Sequence, residues 1–239
     1  MNHHHALLVF PITNKKIPLS LWSCFFPRTK MVWEWDDEGD SRVADLWHLR
    51  EKLSSSGKVV YAKWYQGRAT LFSKKLFVGL LAAMESSDSP LSAEAARMHR
   101  LLVDNSPLST KELKQELSLK GATNEKEYNR ALKELWTKFL VVGFGEKDDG
   151  AFPSLAIAAT QVVFEEEWRE ASKMSRQEGL HRVSKYLPKQ SPFLLHFLKI
   201  YTSIQRVNSV RNQKATSPKN LPKVITFEQL ESERPSKIS

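Results

Sequence analysis

The sequence predicts a mainly helical α+β protein whose strands occur as small β-hairpins, and three stretches carry that expectation. Residues 124–140 place apolar side chains at helical spacing, residues 58–73 read as two strand-like runs around Gln66-Gly67, and residues 141–155 read as two more around Lys-Asp-Asp-Gly. At 239 residues with seven Trp and twelve Phe, the chain can bury a real core as one or two domains.

Residues 1–30 show neither helical nor strand periodicity. The run ALLVF is short, is cut by Pro11 and lacks a small-residue cleavage site, so it does not read as a signal peptide. Met31 opens a segment of different character, and the expectation is that translation begins there and that residues 1–30 lie outside the fold. Residues 31–89 then read as a helix plus β-hairpin subdomain. Trp33 and Trp35 precede the acids Asp36, Asp37, Glu38 and Asp40. Acids at that position favour the positive end of a helix over SRVADLWHLREKLSSSG.

The hairpin over 58–73 interleaves Lys63, Arg68, Lys74 and Lys75 with Tyr61, Trp64 and Tyr65. Cations among aromatics suit nucleic acid, where bases stack and phosphates pair. They equally suit an ordinary packed hairpin whose lysines keep its edge soluble. The run LFVGLLAAM closes this subdomain as a short buried helix, and ESSDSP is a linker.

Residues 90–160 form the most legible unit. Ser109 with Glu112, and Asn124 with Glu127, fit the capping box, in which a side-chain oxygen and a carboxylate satisfy free N–H groups at a helix start. Gly121 fits the stop of a short second helix. In the third, Tyr128, Ala131, Leu132, Leu135, Trp136 and Phe139 fall on one face, while Lys126, Arg130, Lys133 and Thr137 fall on the opposite one. Two strand-like runs follow, with Asp149-Gly150 supplying a tight turn. Three helices and a hairpin in this order predict a winged helix-turn-helix, whose longer helix enters the major groove of DNA. The plain alternative is that the basic stripe is a solvated helix face.

Residues 161–205 read as C-terminal helices, with His181 and His196 as core or boundary residues, and 206–239 as a disordered basic tail. The net charge of +9 resides mostly at the two ends, because residues 31–205 hold 25 basic and 24 acidic residues. Local placement must therefore carry any reading of DNA binding. The single cysteine, Cys24, excludes an internal disulfide framework and a cysteine-based zinc site. No apolar run is long enough to span a membrane, and the expected setting is cytoplasmic. Glycine loops for phosphate, nucleophile elbows and His-Glu metal motifs do not occur, so no cofactor, metal or catalytic residue is expected.

The segments VVYAKWYQGRATLFS, LSAEAARMHRLLVDNSPLSTKELKQEL and YNRALKELWTKFLVVGFGE, with WEW near Met31, resemble short proteins related to the AlkZ/YcaQ crosslink-repair DNA glycosylases. The resemblance covers roughly residues 31–170. It implies tandem winged helices, a double-stranded DNA partner and a link to DNA repair. It also implies a Gln-x-Asp or Gln-x-Gln motif for base excision. No glutamine of the expected folded part has Asp or Gln two residues on, and Gln229, followed by Glu231, lies in the tail.

The expected function is thus DNA binding without glycosylase catalysis. Lys126, Arg130, Lys133 and Thr137 would face the groove, Lys111, Lys114 and Lys147 the backbone phosphates, and Lys63 and Arg68 would extend the track. An active glycosylase on alkylated or crosslinked bases, and a winged-helix protein-interaction module, are the rival readings.

Overall fold

The computed structural model describes residues 4–32, 40–85, 90–118, 122–148 and 153–215. A first group of elements comprises strand β1 (Ala6–Leu8), helices α1 (Leu21–Phe25) and α2 (Ser41–Ser55), and the hairpin β2 (Val59–Tyr65) and β3 (Arg68–Ser73). Helices α3 (Lys74–Glu85) and α4 (Ala93–Asn105) lead to a second group: β4 (Leu108–Ser109), α5 (Thr110–Glu116), α6 (Ala122–Thr137), β5 (Val141–Lys147) and β6 (Ser154–Ala159). Helices α7 (Thr160–Val163), α8 (Glu165–Ala171), α9 (Arg176–Tyr186) and α10 (Pro192–Ala215) complete the described chain. The protein is therefore a mixed helix and sheet structure, with its strands paired antiparallel.

The six strands form one sheet in the order β1-β3-β2-β5-β6-β4, so the second group repeats the strand order of the first from the opposite edge. In each group a first strand pairs with the last, a short helix and a longer helix lie between, and the hairpin closes the unit. The two short helices also begin alike. Ser20 and Ser109 both close capping boxes, with Ser23 and Glu112 respectively. The groups meet where β2 lies against β5, with Tyr61 opposite Gly143.

That seam depends on a missing side chain. A Cβ on Gly143 would stand 2.3 Å from Tyr61 Cδ1, and Tyr61 is itself buried and has nowhere to turn. Gly143→Ala is expected to destabilise the protein by about 1–3 kcal/mol through overpacking. A urea titration measures this, and an unchanged midpoint would mean that the seam is looser than described.

The N-terminal residues correct the expectation that 1–30 lie outside the fold. Strand β1 pairs with β3 through Ala6–Phe72, Leu7–Leu71 and Leu8–Thr70. Leu8 joins the larger core on one side of the sheet, whereas Leu7 and Val9 join a second cluster with Leu21, Trp22 and Met31 on the other. A strand buried on both faces carries apolar residues at every position, which is why no alternation appears in ALLVF. The following loop is tied down by Asn14, whose side chain donates to Met31 O at 2.9 Å and accepts from Met31 N at 2.7 Å.

Two further boundaries differ from expectation. Helix α6 starts at Ala122, so Asn124 lies within its first turn instead of capping it. Helix α10 continues to Ala215, beyond the expected start of a disordered tail, and 216–239 lie outside the described residues. The Trp33–Trp35 stretch with its acids Asp36–Glu38, the Gly121 stop and the Asp149-Gly150 turn are also outside them. The hairpin at Gln66-Gly67 forms as expected. Both residues take positive φ, 52° and 73°, the backbone shape of a tight turn that follows strand twist.

Candidate nucleic-acid interface

Helix α6 is held by its apolar face. Tyr128, Ala131, Leu135 and Trp136 are buried, and at its C-terminal end Phe139 adopts a left-handed φ of 56°. That conformation is unfavourable for a large side chain. It is retained because the Phe139 ring packs on Trp64 at 5.3 Å and against Phe72 at 5.8 Å, while its carbonyl accepts the Thr160 hydroxyl at 2.6 Å. The end of α6 is thereby fixed against strand β2 of the other group. Glu134 fixes the side of α6 to the start of α4 by accepting from Ser92 Oγ at 2.8 Å.

On the outer face Lys126, Arg130 and Lys133 are exposed. Thr137 is half-buried and donates its hydroxyl to Lys133 O at 2.7 Å. Lys111 is exposed on α5. Two of the expected phosphate contacts are instead neutralised locally. Lys114 Nζ lies 2.8 Å from Glu125 and 4.8 Å from the Tyr128 ring centre, and Lys147 Nζ lies 2.8 Å from Glu112. The Lys147 ammonium and the Ser109 backbone hold the Glu112 carboxyl below the usual carboxylate range. Each pair joins two different elements, α5 with α6 and α5 with β5, a proximity invisible to spacing along one helix.

The hairpin cations behave differently from each other. Arg68 is exposed at the start of β3, opposite Tyr65. Lys63 borders a cleft of about 950 Å³ between the β2–β3 turn, the C-terminal half of α6 and α10. Burial of its ammonium, with Arg50 nearby, lowers its pKa. Lys133 and Thr137 line the same cleft, whereas Lys126, Arg130 and Arg68 do not. Lys63 thus borders the same cleft as part of the α6 stripe.

Sequence reasoning missed the third wall. The apolar residues of α10 suggest a helix packed nearly all round, yet Leu195 is 58% exposed and Lys199 lines the cleft. The signal was present in the spacing: Leu195, Lys199 and Ser203 recur every four residues, a stripe with a cation and a hydroxyl that a fully buried helix would not carry. His196 is a boundary residue, its Nε2 3.3 Å from Trp64 O and its ring 4.8 Å from both Trp64 and Tyr65. Among the described residues no group of three or more His, Cys, Asp or Glu could hold a metal. Nor is any helix there long and apolar enough to cross a membrane.

Burial lowers the pKa of His196, His99 and His5 below 6.5. Each binds its proton more readily when unfolded. Stability contributed by the neutral rings is therefore complete above pH 6.5 and is lost as pH falls through the lower folded values. The thermal midpoint is expected to fall between about pH 7.5 and about pH 5, before the carboxylates titrate. A flat midpoint across that window would contradict the burial of these rings.

No curated protein and no solved structure matches the chain. The AlkZ-related family model matches residues 7–193. That match reaches further at both ends than the stretch that carried the resemblance, from strand β1 to the start of α10, and so takes in both groups of elements and the whole sheet. With most of its length matched in this way, the chain belongs to the AlkZ-related family.

Proposed function

We propose that the protein is a DNA-binding protein built from two winged-helix units, related to DNA-repair glycosylases and without base excision of its own. The observation that carries the reading is the exposed cationic stripe of α6, Lys126, Arg130 and Lys133, on the longer helix of a strand–helix–helix–hairpin unit. In winged helices this helix enters the major groove while neighbouring elements hold the phosphates. Lys111, Lys63 and Arg68 extend the track. Lys114 and Lys147, already beside carboxylates, add less.

The corresponding helix of the first unit has a different task. Helix α2 buries Leu46, Arg50 and Ser54 at four-residue spacing, Leu46 in the core of the first unit and Arg50 and Ser54 against strand β5. It therefore joins the two units, and α6 alone faces the duplex. The absence of Gln-x-Asp or Gln-x-Gln from the folded part supports binding without catalysis.

The test is to titrate the purified chain against duplex DNA and, separately, to incubate it with alkylated or crosslinked duplex and measure free base. Duplex binding without base release is expected. Release of base by the pure protein would overturn the non-catalytic reading and favour an active glycosylase.

A further inference from the structure

Helix α10 divides the α6 stripe. Lys126 and Arg130 lie on open surface, but Lys133 and Thr137 face α10 across the cleft, so a duplex laid along the whole stripe would meet α10 at the cleft. Two exposed lysines from two elements line the cleft, Lys133 from α6 and Lys199 from α10, and Lys63 of β2 borders it. Among the described residues no carboxylate lines the cleft. Like charges facing one cleft with no carboxylate between them favour a bound anion.

The opposite wall is apolar. Leu195, Ile200 and Ile204 of α10 line the cleft, and Leu195 is exposed. A cationic rim beside an apolar wall suits a ligand with an anionic backbone and flat, uncharged faces. Unpaired nucleotides have that chemistry, because their bases are free to pack on side chains while their phosphates pair with lysines. A duplex buries its base faces in the stack and would leave the apolar wall unused.

We propose that the cleft takes a single strand leaving the duplex, with Lys133 at the junction where the α6 stripe ends, a phosphate of the strand on Lys199 and its bases against Leu195, Ile200 and Ile204. The protein then recognises a junction between double- and single-stranded DNA in preference to uninterrupted duplex. This rests on the reading of α6 as the duplex-facing helix.

The test measures affinity of the full chain for a blunt duplex and for the same duplex carrying a short single-stranded overhang. Wild type should favour the overhang by about fivefold or more, the equivalent of one packed base. Lys199→Ala/Leu195→Ser should lose that preference and keep its affinity for blunt duplex. Its salt dependence on the overhang should be shallower by about 0.7, because one phosphate of the single strand no longer has a lysine partner. Both side chains are exposed, so an unchanged thermal midpoint is expected to accompany the loss. Equal affinity of wild type for the two DNAs, or a preference that survives the double substitution, would overturn the cleft assignment alone. Failure to bind any DNA would overturn the reading of α6 with it.

Discussion

Removal of residues 1–30 is expected to leave a chain that does not fold cooperatively. This segment buries Leu7, Leu8, Val9, Leu21 and Trp22, none more than 7% exposed. Each such side chain contributes about 1.5–3 kcal/mol when buried. Five together exceed about 5 kcal/mol, the lower end of the whole stability of a domain. Loss of β1 would also bare the edge of β3, where Leu71 and Phe72 are fully buried, and an unpaired apolar edge recruits other chains. Circular dichroism on heating and size-exclusion chromatography of the shortened chain read out both effects. A sharp melting transition from a monomeric shortened chain would show that translation from Met31 yields a complete fold.

The second large effect is expected at Arg50. Its side chain is buried on α2 and forms an ion pair with Glu146 of β5, with its guanidinium 4.2 Å from the Trp47 ring centre. Next to it Gly145 N donates to Ser54 Oγ at 3.1 Å, so two polar contacts fasten the first unit to the second. Removing one member of a buried pair strands the other without solvent and costs about 3–5 kcal/mol, whereas replacing both by apolar groups of similar size costs far less. Arg50→Ala and Glu146→Ala should each lower stability by that amount, and Arg50→Met/Glu146→Leu should recover most of it. Urea unfolding of the three variants forms the test. Single substitutions that cost less than about 1 kcal/mol, as at an exposed pair, would contradict a buried seam.

Legibility in the sequence followed the range of the interactions. Capping at Ser109 and Glu112, the hairpin at Gln66-Gly67 and the buried face of α6 depend on residues within a few positions of each other, and all three were readable. Strand β1 was not, because with cores on both sides it has no polar face to set a period. The Arg50–Glu146 pair joins residues 96 apart in sequence, and the cleft joins Lys63 of one hairpin to Lys199 of a distant helix. Local pattern cannot bring such partners together. It did mark Lys114 and Lys147 as cations, but the carboxylates that occupy them come from neighbouring elements.

The most direct measurement is the salt dependence of duplex DNA binding for wild type and Arg130→Ala/Lys133→Ala. With α6 in the groove, the double substitution weakens binding and makes the logarithmic slope against salt shallower by about 0.9 for each phosphate left without a cationic partner. Affinity and slope unchanged from wild type would mean that DNA, if it binds at all, does not bind on this face.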